Sequence, residues 1–175
     1  MIKKLDALII EDSADDAFFL VRAIEKEDIS LDWLRVTNAS DMEAALQDRE
    51  WDLIFVDYAL PGFSGIRALE ILQENKLNIP AIMISGTMGE ETAVEAMRAG
   101  ASDYFIKGNY SRLVPAIERE LREARMRKEK MQADAALRES EERYRILAGQ
   151  LQTAAEIGRD ATAAQDIDEL LNRST

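Results

Sequence analysis

Four charged side chains and one hydroxyl stand at the ends of apolar runs spread along the chain. Glu11 and Asp12 follow Leu8-Ile9-Ile10, and Asp57 follows Leu53-Ile54-Phe55-Val56. Ser85 follows Ala81-Ile82-Met83-Ile84, and Lys107 follows Asp103-Tyr104-Phe105-Ile106. Carboxylates are hard oxygen ligands, and three brought together suit Mg²⁺, which holds on to several of its waters. Without a cation, like charges at that density raise the pKa of one member. A carboxylate held beside Mg²⁺ is a workable nucleophile toward phosphorus, which makes Asp57 the candidate acceptor. The Lys107 ammonium is a candidate cationic clamp, and the Ser85 hydroxyl is a candidate partner for a phosphoryl oxygen. Taken singly, an acid at a strand end is more often a polar loop cap. The Glu11-Asp12 pair, Asp57, Ser85 and Lys107, closing four different strands, are together hard to reach by chance.

These residues meet only if the runs are strands of one parallel sheet that all end at the same edge. Ligands of open α/β sheets bind at that carboxyl edge. The chain alternates accordingly. Leu5 to Ile10 reads as a strand, and Ala14 to Glu27 as a helix with Ala17, Leu20, Val21 and Ile24 on one face. Leu31 to Val36 is a second strand. Ser40-Asp41-Met42-Glu43 has capping-box spacing and opens a short helix through Leu46. Asp52 to Val56 is a third strand, and Pro61-Gly62 with Gly65 forms a loop before a helix from Ile66 to Gln73. Pro80 introduces a fourth strand. A loop from Gly86 to Gly89 precedes a helix from Glu90 to Ala99, which Gly100 caps. Asp103 to Ile106 is a fifth strand. Asn109 or Ser111 caps a last helix, in which Pro115 fits only near the start. Five β-α units predict an α/β fold with a doubly wound, five-stranded parallel sheet, helices on both faces and right-handed crossovers. That unit spans residues 1–123, and a helical extension spans 124–175.

The chain has 175 residues and is 47% hydrophobic, enough for one packed domain and an appendage. It lacks cysteine, which excludes disulfides and thiolate metal sites, and it lacks histidine, which excludes Ser-His-Asp catalysis and any phosphohistidine on these residues. No run reaches the roughly 18 apolar residues of a membrane span, and no signal-type stretch opens the sequence. A cytoplasmic protein is expected, with no membrane partner. Residues 1–110 hold 21 acids and 10 bases, a net charge of −11, which disfavours a nucleic-acid partner. Residues 111–175 hold 13 acids and 12 bases, and the basic stretch from Arg122 to Lys130 is interleaved with glutamate as on a solvated or paired helix.

No glycine or proline falls between Ala116 and Ala148, a stretch of 33 residues. Ile117, Leu121, Ala124, Met131 and Ala135 recur at coiled-coil spacing. After a phase slip near residue 136, Leu137, Tyr144, Leu147, Leu151 and Ala154 do the same. The seam is weak, since Lys128 and Ser140 occupy core positions. A parallel homodimer through this helix would cover it; a solvated helix of a monomer is the alternative. Gly158 is expected to interrupt, and Asp166 to cap a short helix from Ile167 to Leu171. Trp33 and Trp51 read as packing residues, and Asp15-Asp16 as a charge match to a helix N-terminus rather than as metal ligands.

With these residues in place, the chain resembles the receiver domain of two-component response regulators over roughly residues 3–123. The five strand-end residues carry the resemblance, with Asp57-Tyr-Ala-Leu-Pro-Gly, Ser85-Gly86 and Ala99-Gly-Ala-Ser-Asp-Tyr-Phe-Ile-Lys107. It implies a flavodoxin-like receiver fold, and that Asp57 accepts a phosphoryl group from the phosphohistidine of a sensor histidine kinase or a phosphotransfer protein. It implies that Glu11, Asp12, Asp57 and the carbonyl of Ala59 hold Mg²⁺, that Ser85 binds the phosphoryl group, that Lys107 pairs with it, and that Tyr104 is an aromatic switch. The sequence departs from the family where Gly108 follows Lys107 in place of proline. Gly108-Asn-Tyr-Ser-Arg-Leu-Val-Pro115 resembles a receiver subgroup found at the front of multidomain sensors. Leu137-Arg-Glu-Ser-Glu-Glu-Arg-Tyr-Arg-Ile-Leu147 is similar to the helix leading into PAS domains, and Leu151-Gln-Thr-Ala-Ala-Glu-Ile-Gly158 to the lead-in of a GAF domain. The residues are thus expected to be the front of a longer chain, or a receiver that signals through its helix alone.

The expected role is signalling rather than catalysis. A phosphatase of the haloacid-dehalogenase type also uses a strand-end aspartate with Mg²⁺, but it needs a second aspartate where Ala59 stands. A pseudo-receiver that only scaffolds a dimer is the other rival, disfavoured by the intact acid set. A DNA-binding regulator is disfavoured by the tail, which lacks a recognition helix and net positive charge.

Overall fold

The computed structural model describes the backbone of residues 4–86 and 89–172, with side chains through residue 152. Its elements are β1 (Lys4–Ile10), α1 (Ala14–Glu25), β2 (Ser30–Val36), α2 (Ala39–Asp48), β3 (Leu53–Asp57), α3 (Gly65–Glu74), β4 (Ala81–Ser85), α4 (Glu90–Arg98), β5 (Asp103–Ile106) and α5 (Leu113–Asn172). The sheet order is β2-β1-β3-β4-β5, and every adjacent pair is parallel. The winding reverses between β1 and β3, so the carboxyl ends of those two strands flank a crevice. The loop expected between Gly86 and Gly89 includes Thr87 and Met88, which lie outside the described residues.

β3 and β4 are buried along their whole length, as strands covered on both faces must be. Alternate residues feed two cores. Ala7, Ile9, Phe55 and Ile82 pack with Leu20, Val21 and Ile24 of α1 and with Leu113 and Ile117 of α5. Leu8, Ile10, Ile54 and Met83 pack with Met42 of α2, Leu69 and Leu72 of α3 and Ala96 of α4. Each of the large aliphatic and aromatic side chains among them stabilises the fold by about 1.5–3 kcal/mol.

The helix ends follow from side-chain chemistry. Ser13 caps α1 by accepting from the Asp16 N–H at 3.2 Å. At α2 the cap is Asn38, not Ser40. Its Oδ1 accepts from the Asp41 N–H at 2.9 Å, and its Nδ2 donates to Asp41 Oδ2 at 2.8 Å. The reciprocal pair therefore stands two residues before the spacing read from Ser40. Gly100 closes α4 as expected, with φ +100°. Ala101 N–H donates to Ala96 O, and Gly100 N–H to Met97 O, which together make a Schellman cap.

Two expectations about the aromatic and helical segments are corrected. Trp51 is buried, donates to Ala45 O at 2.9 Å and lies 4.0 Å beneath the Arg49 guanidinium. Trp33 instead lies on the edge strand β2 and is 37% exposed. Gly158 does not interrupt the last helix: α5 runs unbroken to Asn172, and no separate helix begins after Asp166. One glycine costs a helix about 1 kcal/mol relative to alanine, which a long hydrogen-bonded run absorbs.

The first part of the α5 repeat has a physical source. Leu113, Ala116, Ile117, Glu120 and Ala124 are buried against the helix's own sheet. Asn78, before β4, donates from Nδ2 to Ala124 O at 3.4 Å and accepts from Arg127 Nε at 3.1 Å. The upstream repeat is thus a core face of the α/β unit only as far as Ala124, whereas Met131 and Ala135 are exposed like the repeat from Leu137 onward. By contacts the chain divides into the units Met1–Lys128 and Glu129–Thr175. Among the described residues, no helix is long and apolar enough to cross a membrane.

Candidate functional site

The ends of β1, β3 and β5 deliver their side chains to one place. Glu11 extends the β1 ladder by one step, its N–H donating to Val36 O at 3.0 Å. Lys107 extends β5 in the same way, its N–H donating to Ser85 O at 2.8 Å. Asp57 is the last residue of β3. Oxygens of Glu11, Asp12 and Asp57 all lie within 4.8 Å of one another, with Glu11 and Asp57 buried (4% and 5% exposed) and Asp12 exposed. Lys107 Nζ reaches Asp57 Oδ2 at 3.1 Å, Glu11 Oε2 at 2.8 Å and Asp16 Oδ2 at 2.6 Å.

The backbone around these groups is fixed by specific contacts. Arg35 Nη1 donates to the carbonyls of Glu11 at 3.0 Å and Asp12 at 3.1 Å, which ties the turn carrying the acid pair to β2. Glu11 Oε1 accepts from the Ser13 N–H at 3.1 Å, and Asp57 Oδ1 from the Ala59 N–H at 3.4 Å. Gly65 opens α3 and donates to Tyr58 O at 3.2 Å. A Cβ at Gly65 would overlap the backbone oxygen of Asp57 and come within 3.0 Å of Tyr58 Cα, so only glycine permits this approach. Lys107 and Gly108 are joined by a trans peptide, and Gly108 takes φ +82° while Asn109 N–H donates to Ile106 O at 3.0 Å. Glycine therefore makes the turn where the family usually has proline.

The electrostatics explain why the cluster suits a cation. Burial pushes the Glu11 carboxyl up from its ordinary value, and the charge of Asp57 adds to this. The hydrogen bonds from Lys107 and the Ser13 N–H oppose the rise without cancelling it. Burial pulls the Lys107 ammonium down, but hydrogen bonds to Asp16, Glu11 and Asp57 outweigh it and hold Lys107 above the ordinary lysine value. Three carboxylates, of Glu11, Asp16 and Asp57, thus share the Lys107 ammonium, Asp12 adds a fourth beside them, and Arg35 is committed to carbonyls. A surplus of negative charge on hard oxygen donors fits a divalent cation such as Mg²⁺.

Of the residues singled out in the sequence, Glu11, Asp12, Asp57 and Lys107 converge. Ser85 is buried at the end of β4, next to Lys107 through the ladder. Ala59 lies in the loop after Asp57. Tyr104 pairs with Met83 across the sheet, packs half-buried against the same core cluster, and lines a cavity of about 290 Å³ together with Ile106, Arg112 and Pro115. None of the clustered carboxylates lines that cavity. Asp16 and Arg35 were missed. Asp16 carried a legible signal: it stands four residues before buried Leu20 and so shares that side of α1, whereas Asp15 stands four before exposed Phe19.

Comparison with known proteins gives a consistent result. The family model described as "Response regulator receiver domain" matches residues 7–118. The nitrogen assimilation regulatory protein NtrX of Azorhizobium caulinodans is 35% identical over 130 residues, which cover 71% of this chain and 28% of that protein. The phosphate regulon transcriptional regulatory protein PhoB of Pseudomonas aeruginosa is 32% identical over 102 residues, 57% of this chain and 44% of that protein. The chain therefore spans less than half the length of either curated relative. The crystal structure of the receiver domain of NtrX from Brucella abortus superposes with a TM-score of 0.60 at 31% identity, covering 67% of this chain and 98% of that one.

Proposed function

The chain belongs to the response-regulator receiver family, and on that premise we propose that Asp57 accepts a phosphoryl group in a two-component phosphorelay. The proposed donor is a phosphohistidine of a sensor histidine kinase or phosphotransfer protein; these 175 residues hold no histidine, so it comes from another chain or from a segment outside them. The observation that carries this reading is the burial of Asp57 between the Glu11-Asp12 pair and Lys107. Glu11, Asp12 and Asp57, with the carbonyl of Ala59, are the residues to hold Mg²⁺, which when bound supplies positive charge against the phosphoryl oxygens. Asp57 attacks as the carboxylate, so no proton need be removed from it. Lys107 pairs with the new anionic group, and the Ser85 hydroxyl donates to one of its oxygens. Tyr104, three residues before Lys107, is the residue proposed to respond through its packing as those groups shift. Intact-mass measurement after treatment with acetyl phosphate and Mg²⁺ is expected to show one added phosphoryl group on the parent and none on Asp57→Asn. An Asp57→Asn protein that still gains it would sink the proposal.

The output of the reading is a dimerising α5. Leu137, Tyr144, Leu147 and Leu151 are large, exposed and spaced at a heptad repeat. A second copy of the chain, parallel to the first, covers them. Light scattering is expected to give a mass of two chains for the parent, and of one chain for the Leu137→Glu, Leu147→Glu double variant. A parent that stays at one chain mass, with and without beryllofluoride, counts against the helix as the association element.

A further inference from the structure

Among the described residues, Asp16 is the carboxylate of the site that stands outside the converging trio. Glu11 and Asp57 belong to the trio whose oxygens converge for a cation, and Asp12 completes it. Asp16 stands outside that trio, on the first turn of α1, and makes the shortest contact to Lys107, at 2.6 Å against 2.8 Å for Glu11 and 3.1 Å for Asp57. The Ser13 N–H, which a carboxylate at this position would cap, already donates to Glu11 Oε1, so the Asp16 side chain is not needed to cap the helix.

A phosphoryl donor brings an anionic group to Asp57, and the ammonium it must engage is Lys107. Asp16 occupies that ammonium and adds a negative charge beside the path. We infer that Asp16 restrains phosphoryl capture by competing for Lys107, making it a positioning residue that tunes how readily Asp57 is charged. This rests on the phosphoryl-acceptor reading. In the transfer from acetyl phosphate, the bond from phosphorus to the acetate oxygen breaks and its electron pair leaves with acetate. A bond from phosphorus to an Asp57 carboxylate oxygen forms, and no proton moves. Asp16 takes no part in these bonds. It sets how much of the Lys107 charge is free for the incoming oxygens.

The size of the effect follows from exposure. The Asp16 side chain is 39% exposed and Lys107 21% exposed, so their pair is partly screened. A pair of that kind shifts a rate or an equilibrium by about three- to fivefold. The test is the phosphorylation rate of the full chain at saturating Mg²⁺, with acetyl phosphate and with phosphoramidate, which carries one negative charge fewer. Asp16→Asn is expected to be about three- to fivefold faster than the parent with acetyl phosphate, with a smaller gain for phosphoramidate. Asp16→Glu, which keeps the charge, is expected near the parental rate. Asp15→Asn removes an equal charge from the same helix turn without touching Lys107, and is expected to leave the rate unchanged. A labelled parent with an Asp16→Asn variant no faster, or an Asp15→Asn variant equally fast, overturns the inference. A parent that takes no phosphoryl group from either donor overturns the phosphoryl-acceptor reading itself.

Discussion

Lys107→Met is expected to destabilise the cation-free fold by about 2–3 kcal/mol at neutral pH. Breaking a buried ion pair by removing one partner costs about 3–5 kcal/mol because the other charge is left buried and unpaired. The lower figure applies because Lys107 is partly exposed and Asp16 is accessible to water. Glu11 and Asp57 bear most of the loss, since both are buried and their oxygens converge. Saturating Mg²⁺ replaces the missing positive charge and should recover much of the stability. The pH dependence has a definite sign. A carboxyl whose folded pKa is raised binds protons more readily in the folded state. Its contribution is therefore present in full below its unfolded value and is lost as pH rises through the folded one. Glu11 is such a group, raised from 4.5 chiefly by burial, with Lys107 opposing the rise. Removing Lys107 lifts that opposition, so the gap between variant and parent narrows as pH falls from neutrality toward 4.5. Urea unfolding across that range, with and without Mg²⁺, measures both effects. A variant as stable as the parent at neutral pH, or a gap that ignores both Mg²⁺ and acid, contradicts the account.

Gly65→Ala adds a single methyl group and is expected to destabilise by about 2–3 kcal/mol, with loss of phosphoryl labelling. The methyl carbon would occupy the space of the Asp57 backbone oxygen and crowd Tyr58 Cα. Backbone at the end of a central strand cannot swing aside as a flexible side-chain tip would. The contrast is Gly100, whose added Cβ meets the far end of the Gln73 side chain. Relief at Gly65 must therefore come from shifting the first turn of α3 or the end of β3. The second of these carries Asp57 away from Lys107. Paired denaturation and labelling experiments separate the two routes: a stable variant that still labels at the parental rate would contradict the steric argument.

Much of the fold and of the site is legible in the sequence. Short apolar runs alternating with helical periodicity marked all five strands, and the strand-end residues Glu11, Asp57 and Lys107 follow directly from where those runs stop. What escaped reading has physical causes. Asn38 and Ser40 both belong to the residue types that cap helices, and only backbone geometry shows which one stands outside the first turn. Asp16 looked like a dipole match because acids at helix starts usually are, and its partner lies 91 positions away. Arg35 acts through two carbonyls, and a carbonyl contact leaves no mark in residue identity. The repeat from Ile117 to Ala135 mixed two environments, a sheet-packing face followed by exposed helix, which spacing alone could not divide.

Helix α5 is one ladder of hydrogen bonds held closed in two different ways. From Leu113 to Ala124 its amides open only when the sheet core itself opens, because the residues on that face are part of the core. Beyond Arg127 the described side chains are almost all exposed, and closure rests on the helix's own propensity, weakened at Gly149 by about 1 kcal/mol relative to alanine. Amide exchange along this single helix therefore steps from slow to fast after the Asn78 contacts. A partner that protects only the later amides changes the second rate and leaves the first alone, so one element records separately whether the domain is folded and whether the chain is paired.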